Sequence, residues 1–178
     1  MPHLYPFGQR AALAAARLAP MTTSAGLVLF RERGADGALE VLLGHMGGPF
    51  WARKDEGAWS IPKGELEPGE DPLAGARREF AEELGHPPPE GPAIELGEIR
   101  QKAGKVVVGF AIEGDFDPAA LRPGTFELQW PPRSGRLQAF PEVDRVAWFD
   151  LPTASRKVVR GQVPLLESLA ERLTDHDG

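Results

Sequence analysis

The sequence predicts one α/β domain in which a mixed sheet lies between layers of helices. Strand-like segments occur both before and after a single central helix, and a second helical region ends the chain. The chain has 178 residues, of which 42% are hydrophobic, so it is long enough for one domain with its own core. We therefore expect residues 21–178 to form a single domain.

The strand predictions come from short apolar runs that are bounded by glycine, proline and other turn residues. Two such runs flank the turn-rich segment 34–37, which predicts a β-hairpin near the start of the domain. Val106, Val107 and Val108 are consecutive, as in a strand that is buried on both faces. The predicted strands are residues 25–31, 40–44, 59–61, 93–101, 105–113, 126–130 and 145–149.

The central helix is predicted at residues 72–84 by a start signal and a stop signal. Asp71 is a favourable N-cap, and Pro72 suits the first helical position, where its missing N–H has no partner to lose. Gly85 suits the left-handed position after a helix, and the prolines at 87–89 prevent continuation. Two further helices are predicted over residues 152–159 and 163–173.

The central helix has an apolar face and an acidic face. The apolar stripe, which should pack on the sheet, consists of Leu73, Ala76, Phe80 and Leu84. Glu79, Glu82 and Glu83 lie at i, i+3 and i+4, so their carboxylates share another face within one turn. Like charges at this spacing destabilise a helix by roughly 0.2–0.5 kcal/mol per pair. A divalent cation that prefers oxygen ligands, such as Mg²⁺, would relieve this repulsion.

Taken alone, three glutamates on one helix face indicate a solvated surface, but these three belong to a longer pattern. The stretch from Gly64 to His86 has the spacing G-x5-E-x7-R-E-U-x-E-E-x-G-U, in which U is a bulky apolar residue. Its seven fixed identities would arise by chance about 10⁻⁷ times per starting position. This pattern is the Nudix box, and in it the chain resembles the Nudix hydrolases. His86 departs from the pattern at the last apolar position, where we expect only a local change in packing.

The resemblance extends beyond the box, residues 64–86, over most of residues 24–165. The chain is similar to a bacterial branch of predicted NTP pyrophosphohydrolases, with some likeness to diadenosine polyphosphate hydrolases, in SAGLVLFR, WSIPKGE, QKAGKVV, WPPRSGR and FPEVDRVAWF. This resemblance implies a Nudix-type α/β/α sandwich with a mixed central sheet. It also implies Mg²⁺-dependent hydrolysis of a nucleoside diphosphate linked to another group, with a nucleoside triphosphate or a dinucleoside polyphosphate as the expected substrate.

The resemblance also implies a set of metal ligands. The family's ligands correspond here to Glu79, Glu82 and Glu83, together with the backbone carbonyl of Gly64. The expected ion is Mg²⁺, and Mn²⁺ is the alternative. In the family, the arginine and glutamate at Arg78 and Glu70 lock the loop onto the helix, and a guanidinium can grip a carboxylate with two parallel hydrogen bonds. Arg78 is therefore placed with the candidate catalytic residues.

One carboxylate must accept a proton when water attacks phosphorus. The candidates, in order of preference, are Glu83, Glu82 and Glu142. Glu142 stands six residues before Trp148, where Nudix hydrolases often place a further metal ligand or base. The alternative for Glu142 is a carboxylate on a surface turn after Pro141.

Four basic residues lie in segments where they would neutralise phosphate oxygens if the loops converge on the metal. They are Lys63, Lys102, Lys105 and Arg133, and each also fits a solvated surface charge. These basic loops leave an inositol polyphosphate open as an alternative substrate. Trp51, Trp59 and Trp130 offer rings that could stack on a base, but Trp59 is expected in the core and none is assigned that role.

Charge and composition argue against several other classes of protein. A net charge of −6 argues against a protein that coats nucleic acid, and no apolar run approaches the roughly 18 residues of a membrane span. The absence of cysteine excludes disulfides, thiolate metal sites and a cysteine nucleophile, and it agrees with a reducing cytoplasm. We expect a cytoplasmic protein whose partner is a nucleotide-type small molecule; the sequence carries no signal for an oligomeric state.

Two alternatives accompany these expectations. The chain could be a Nudix-fold module that binds a nucleotide without turnover, although such modules usually lose carboxylates that this box retains. Residues 1–20 are expected to be a peripheral extension with a short helix at residues 10–18. A transit peptide is not favoured because serine is not enriched, and a start site upstream of Met21 is the other interpretation.

Overall fold

The strands and helices follow the predicted order in the computed structural model, which describes residues 21–33 and 36–176. The strands are β1 (Thr23–Arg33), β2 (Ala38–Met46), β3 (Trp59–Ser60), β4 (Lys63–Glu65), β5 (Ala93–Arg100), β6 (Val106–Glu113), β7 (Thr125–Gln129), β8 (Leu137–Pro141) and β9 (Val143–Asp150). The α-helices are α1 (Pro72–Leu84), α2 (Leu151–Lys157) and α3 (Val163–His176).

The central sheet is mixed, as the sequence predicts. Its strands run in the order β3-β2-β1-β6-β5, with β4 also paired to β1 and β9 also paired to β2. The pair β1–β6 is parallel, whereas the other pairs are antiparallel. Strands β7 and β8 form a separate two-stranded antiparallel hairpin that leads directly into β9.

Helices cover both faces of the sheet because successive side chains of β1 point to opposite faces. On one face, Leu27 belongs to a core that includes Phe80 and Leu84 of α1. On the other face, Val28 belongs to a core that includes Leu166 of α3. All five side chains are essentially inaccessible to solvent. The arrangement confirms the predicted α/β/α sandwich.

The central helix confirms the prediction residue for residue because local signals set both of its ends. The Asp71 side chain accepts a hydrogen bond from the Ala74 N–H at 3.0 Å. Pro72 occupies the first turn, and Gly85 ends the helix with a φ of 81°. The predicted hairpin and the strands at 93–101, 105–113, 126–130 and 145–149 are also confirmed, with no end shifted by more than two residues.

Two strands were not predicted, and the last two helices differ from the predictions in their ends, with α3 extending to His176 instead of 173. Strand β4 is only three residues long, and β8 is largely exposed, so neither has an apolar run that marks it as a strand. Helix α2 ends at Lys157 rather than at 159, because Val158 pairs with Trp59 and the Val159 N–H donates to the Trp59 carbonyl at 2.8 Å. The predictions for residues 1–20, including the helix at 10–18, lie outside the described residues.

In the ranges that the structure describes, no helix is long and apolar enough to span a bilayer.

We predict that Phe80→Ala lowers the free energy of unfolding by about 3–5 kcal/mol, because it leaves a cavity where α1 packs on the sheet. The matched control is Leu137→Ala, since Leu137 is 68% exposed on β8 and its truncation should change stability by less than about 0.5 kcal/mol. Urea denaturation monitored by circular dichroism measures both effects. Equal losses in the two variants would contradict the packing described for α1.

Candidate active site

The acidic face of α1 lies against β4, where Gly64 approaches Glu79 closely. A β-carbon at position 64 would lie 2.1 Å from Cδ of Glu79 and 2.2 Å from its Oε2, far inside van der Waals contact. Any side chain at position 64 would therefore displace the carboxylate. Because β4 pairs with β1 in the sheet, the Glu79 carboxylate and the Gly64 backbone are held together by both the helix and the sheet.

Arg78 joins the loop of the box to the helix. Its Nε donates to Oε1 of Glu70 at 2.8 Å and its Nη2 donates to Oε2 at 2.9 Å, which is a bidentate pair. Nη2 also donates to the Glu65 carbonyl at 3.0 Å, and Nη1 donates to Oε1 of Glu79 at 2.9 Å. These bonds hold the pKa of Glu70 at about 2, and the Glu70 carboxylate raises the pKa of Arg78.

Glu83 lies one turn beyond Glu79, at the wall of a small pocket. Burial raises the pKa of Glu83 to about 8, even though the Lys63 N–H donates to its Oε1 at 3.4 Å. The pocket has a volume of about 120 Å³ and is lined by Gly44, Met46, Ser60, Pro62, Lys63, Glu83, Glu142 and Val143. The half-buried Lys63 is thus the one of the four predicted phosphate-binding residues that lines this pocket.

Glu142 shares this pocket and is held there by its backbone. Its N–H donates to the Gly124 carbonyl at 2.9 Å, and its carbonyl accepts from the Gly47 N–H at 3.0 Å. Burial raises the pKa of the Glu142 carboxyl, and the charge of Glu82 raises it further. A free surface turn after Pro141 would explain neither the position beside Glu83 nor the influence of Glu82.

Glu82 is the most exposed of the box carboxylates, with 57% of its side chain accessible, and it lies 3.3 Å from Nη1 of Arg78. Glu79 is only 14% accessible, and burial raises its pKa although Arg78 acts in the opposite direction. The described residues contain no group of three carboxylate or imidazole side chains that already converge on one metal position. Glu79 and Glu82 accept hydrogen bonds from Arg78, and Glu83 accepts one from the Lys63 N–H.

The donor set nevertheless fits a hard divalent cation. The carboxylates of Glu79, Glu83 and Glu142 and the backbone carbonyl of Gly64 are oxygen donors of the kind that Mg²⁺ prefers. Glu79, Glu83 and Glu142 all have raised pKa values, so their charged forms are poorly compensated by the protein alone. A bound cation would compensate them.

The other predicted basic residues lie further from the pocket. Nζ of Lys105 is 3.9 Å from Oε1 of Glu65, which places Lys105 beside the box loop. Lys102 is exposed in a 3-10 turn between β5 and β6. Arg133 is exposed in the turn between β7 and β8, with a φ of 62°. The structure thus places Lys63 and Lys105 near the box and gives Lys102 and Arg133 no contact with it.

His45 is a residue that the sequence analysis did not select. It is completely buried at the end of β2; its Nε2 lies 2.7 Å from the Lys54 carbonyl and its Nδ1 lies 2.9 Å from Oδ1 of Asp144. A carbonyl can only accept, so Nε2 carries a hydrogen. His45 therefore ties the loop after β2 to the start of β9, two residues beyond Glu142. Nothing local in EVLLGHM marks this function, because its partners are 9 and 99 residues away.

The tryptophans named in the sequence analysis and His86 lie in different environments. Trp59 is 3% exposed and belongs to the core, as expected. Trp51 contacts the Lys54 ammonium, and Trp130 packs against Phe50. His86 donates a hydrogen bond from Nε2 to the Ala120 carbonyl at 2.8 Å, and its ring contacts Phe116. That position is at the end of α1, away from the acidic face.

We predict that the Glu70–Arg78 pair makes stability depend on pH below about 4.5. The folded-state pKa of Glu70 is about 2 against an ordinary value of 4.5, so the stabilisation is fully present above pH 4.5 and is lost as the pH falls toward 2. The difference in free energy of unfolding between wild type and Glu70→Gln should therefore shrink from about pH 6 to about pH 3 in urea titrations. The control is Glu167→Gln, which changes an exposed carboxylate on α3. A difference in free energy of unfolding that stays constant or grows at the lower pH would contradict a stabilising Glu70–Arg78 pair.

Known proteins share both the sequence pattern and the fold. The family model for the NUDIX domain matches residues 20–169. The Ap4A hydrolase of C. elegans in a binary complex has 22% identity and a TM-score of 0.55, with 85% of this chain and 98% of that chain covered. The NUDIX domain of Shewanella oneidensis NrtR complexed with ADP ribose has 20% identity and a TM-score of 0.59, with 94% and 99% covered. The structural matches show a shared fold, and the family model shows that the chain belongs to the Nudix family as a pyrophosphohydrolase.

Proposed function

We propose that the protein hydrolyses a nucleoside triphosphate or a dinucleoside polyphosphate, with Mg²⁺ as its metal and Mn²⁺ as the alternative. The observation that carries this proposal is the pocket that Glu83 and Glu142 both line, together with Lys63, the neighbour of Gly64 in β4. Hydrolysis of a pyrophosphate bridge needs a metal, a base and basic side chains in one place. This pocket brings together carboxylates, which can serve as metal ligands or as the base, and the basic side chain of Lys63.

The residues that would hold the metal are Glu79, Glu82 and Glu83, with the carbonyl of Gly64. A divalent ion held by these residues would supply positive charge against the phosphate oxygens and would lower the pKa of a bound water. Arg78 does not need to touch the substrate. It fixes the Glu79 carboxylate and holds the Glu65 carbonyl, so that the ligands keep their places on both sides of the loop.

Glu83 is the first candidate for the base, followed by Glu82 and Glu142. A base works best when its pKa lies near the working pH, and burial brings the pKa of Glu83 to about 8. Glu142 lines the same pocket, so it is placed to orient the attacking water or to complete the metal site. Lys63 and Lys105 would neutralise phosphate oxygens, and Lys102 and Arg133 would meet more distant parts of a long polyphosphate.

Composition supports a small-molecule partner and a cytoplasmic location. The net charge of −6 would repel nucleic acid at long range, so phosphate must be received by the metal and by local basic residues. The absence of cysteine is consistent with a reducing compartment. A nucleotide-binding module without turnover is disfavoured because every carboxylate of the box is present.

We predict that Glu83→Gln and Glu82→Gln each lower kcat by at least about 100-fold while the circular dichroism spectrum stays that of wild type. The amide keeps the size of the side chain but removes the charge and the proton acceptor, and general base catalysis alone contributes about 10²–10⁴-fold. Chromatography of the nucleotide products formed from ATP and diadenosine tetraphosphate with Mg²⁺ measures the change. Glu167→Gln on α3 is the control and should retain wild-type turnover. Near-wild-type turnover with both Glu82 and Glu83 replaced would contradict the proposed mechanism.

A panel of substrates tests the choice among phosphate compounds. We expect the highest kcat/KM for nucleoside triphosphates or dinucleoside polyphosphates, since the box hydrolyses a diphosphate bridge and the basic residues extend beyond it. ADP-ribose and an inositol pyrophosphate complete the panel. A clear preference for either of these would overturn the proposed substrate, whereas no turnover of any compound would favour the binding module.

We also propose that residues 1–20 are peripheral to the reaction. A shortened chain of residues 21–178 should keep kcat/KM within about twofold of the full chain, because Thr23 already belongs to β1 and the box begins 41 residues later. The measurement uses the preferred substrate of the panel. A large loss of activity in the shortened chain would assign a function to these residues.

A further inference from the structure

We propose that Phe50 and Trp130 form the surface on which the base of the substrate stacks. This inference rests on the proposed nucleotide hydrolysis and selects a nucleoside over an inositol as the group that carries the phosphates. Phe50 lies in the loop after β2, and Trp130 follows β7.

Phe50 is exposed in a way that core packing does not explain. Among the described residues, three large apolar side chains are largely exposed: Met21, Phe50 and Leu137. Phe50 is the aromatic one of these, with 58% of its surface accessible. Its ring meets that of Trp130 edge to face, with the centroids 5.5 Å apart and the planes at 84°. An edge-to-face pair fixes the orientation of both rings and leaves ring surface open for a planar ligand.

The hairpin β7–β8 supports this aromatic surface. Phe126, Leu128 and Trp130 alternate with exposed residues, so one face of β7 is half-buried. Phe126 and Phe140 are direct cross-strand partners with ring centroids 6.1 Å apart. The loop after β2 lies on this face, because a β-carbon at Gly48 would be 2.9 Å from Cζ of Phe126. The rings are therefore held before any ligand arrives.

The same loop and hairpin both end at the pocket. The Gly47 N–H donates to the Glu142 carbonyl, and the Glu142 N–H donates to the Gly124 carbonyl, immediately before β7. Phe50 is three residues from Gly47, so their Cα atoms are at most about 11 Å apart. Met46, which precedes Gly47, lines the pocket itself. A pyrophosphate in the pocket would place an attached nucleoside within reach of Phe50.

Charge around the rings is that expected for a nucleotide. Nζ of Lys54 lies 4.9 Å from the centre of the Trp51 ring, beside Phe50 in sequence. The turn of the hairpin carries Arg133 and Arg136, and the Trp130 N–H donates to the Arg136 carbonyl at 2.9 Å. Aromatic rings with nearby cations favour a flat base joined to phosphates. An inositol ring has no π face and could not stack on Phe50 as a planar base does.

The test compares variants that keep the apolar volume but differ in the ring. Phe50→Leu should raise KM for ATP, or for diadenosine tetraphosphate if that is preferred, by about tenfold with kcat within about twofold. Phe50→Tyr keeps the ring and should restore the wild-type KM. The inhibition constant of inorganic tripolyphosphate, which has no base, should be the same in all three proteins. Leu137→Ala, an exposed apolar residue on the opposite face of the hairpin, is the matched control.

Two outcomes would overturn the inference. An unchanged KM in Phe50→Leu means that the ring does not meet the base. Equal weakening of ATP and of tripolyphosphate means that Phe50 only supports the hairpin. If the wild-type protein hydrolyses no nucleotide, the proposed function fails instead, and calorimetric Kd values for a non-hydrolysable ATP analogue and for tripolyphosphate in the same variants test the stacking surface separately.

Discussion

The bidentate pair between Arg78 and Glu70 is the interaction on which the site depends. It fixes a loop without regular structure to a helix whose apolar face is buried against the sheet, and the same guanidinium donates to Glu79 and to the Glu65 carbonyl. The sheet adds a second constraint. Strand β4 holds Gly64 so close to the Glu79 carboxylate that no side chain would fit at position 64. Residues of a strand, a loop and a helix are thus held in one fixed arrangement.

This geometry works against the stability of the acidic helix. Glu79, Glu82 and Glu83 repel one another within a single turn, and burial raises the pKa values of Glu79 and Glu83. The apolar face of α1 offsets this cost, since Phe80 and Leu84 are fully buried against the sheet. Nearby Glu142 adds a further carboxylate from a distant part of the chain. This concentration of carboxylates supports the proposal that the protein binds a cation at this site.

The sequence predicted features whose signals are local. Both ends of α1 followed from Asp71 and Gly85, and the box was recognisable because its spacing combines a loop with a helix. Strands β4 and β8 were missed. Strand β4 consists of only Lys63, Gly64 and Glu65, and β8 is largely exposed, so neither has the apolar pattern that predicts a strand. His45 was missed because its partners are distant in sequence, and Phe50 because its exposure is visible only in the fold. Charge alone could not show that Lys63, and not Arg133, lines the pocket, because the pocket brings together residues that are distant in sequence.

The central claim is that the carboxylates of α1 hold a divalent cation beside a pyrophosphate. Titration calorimetry of Mg²⁺ into the protein, with and without a non-hydrolysable nucleotide analogue, tests it most directly. The account predicts saturable uptake that strengthens when the analogue is present and is strongly reduced in a Glu79→Gln variant. Undetectable uptake under both conditions, or uptake that Glu79→Gln leaves unchanged, would contradict it.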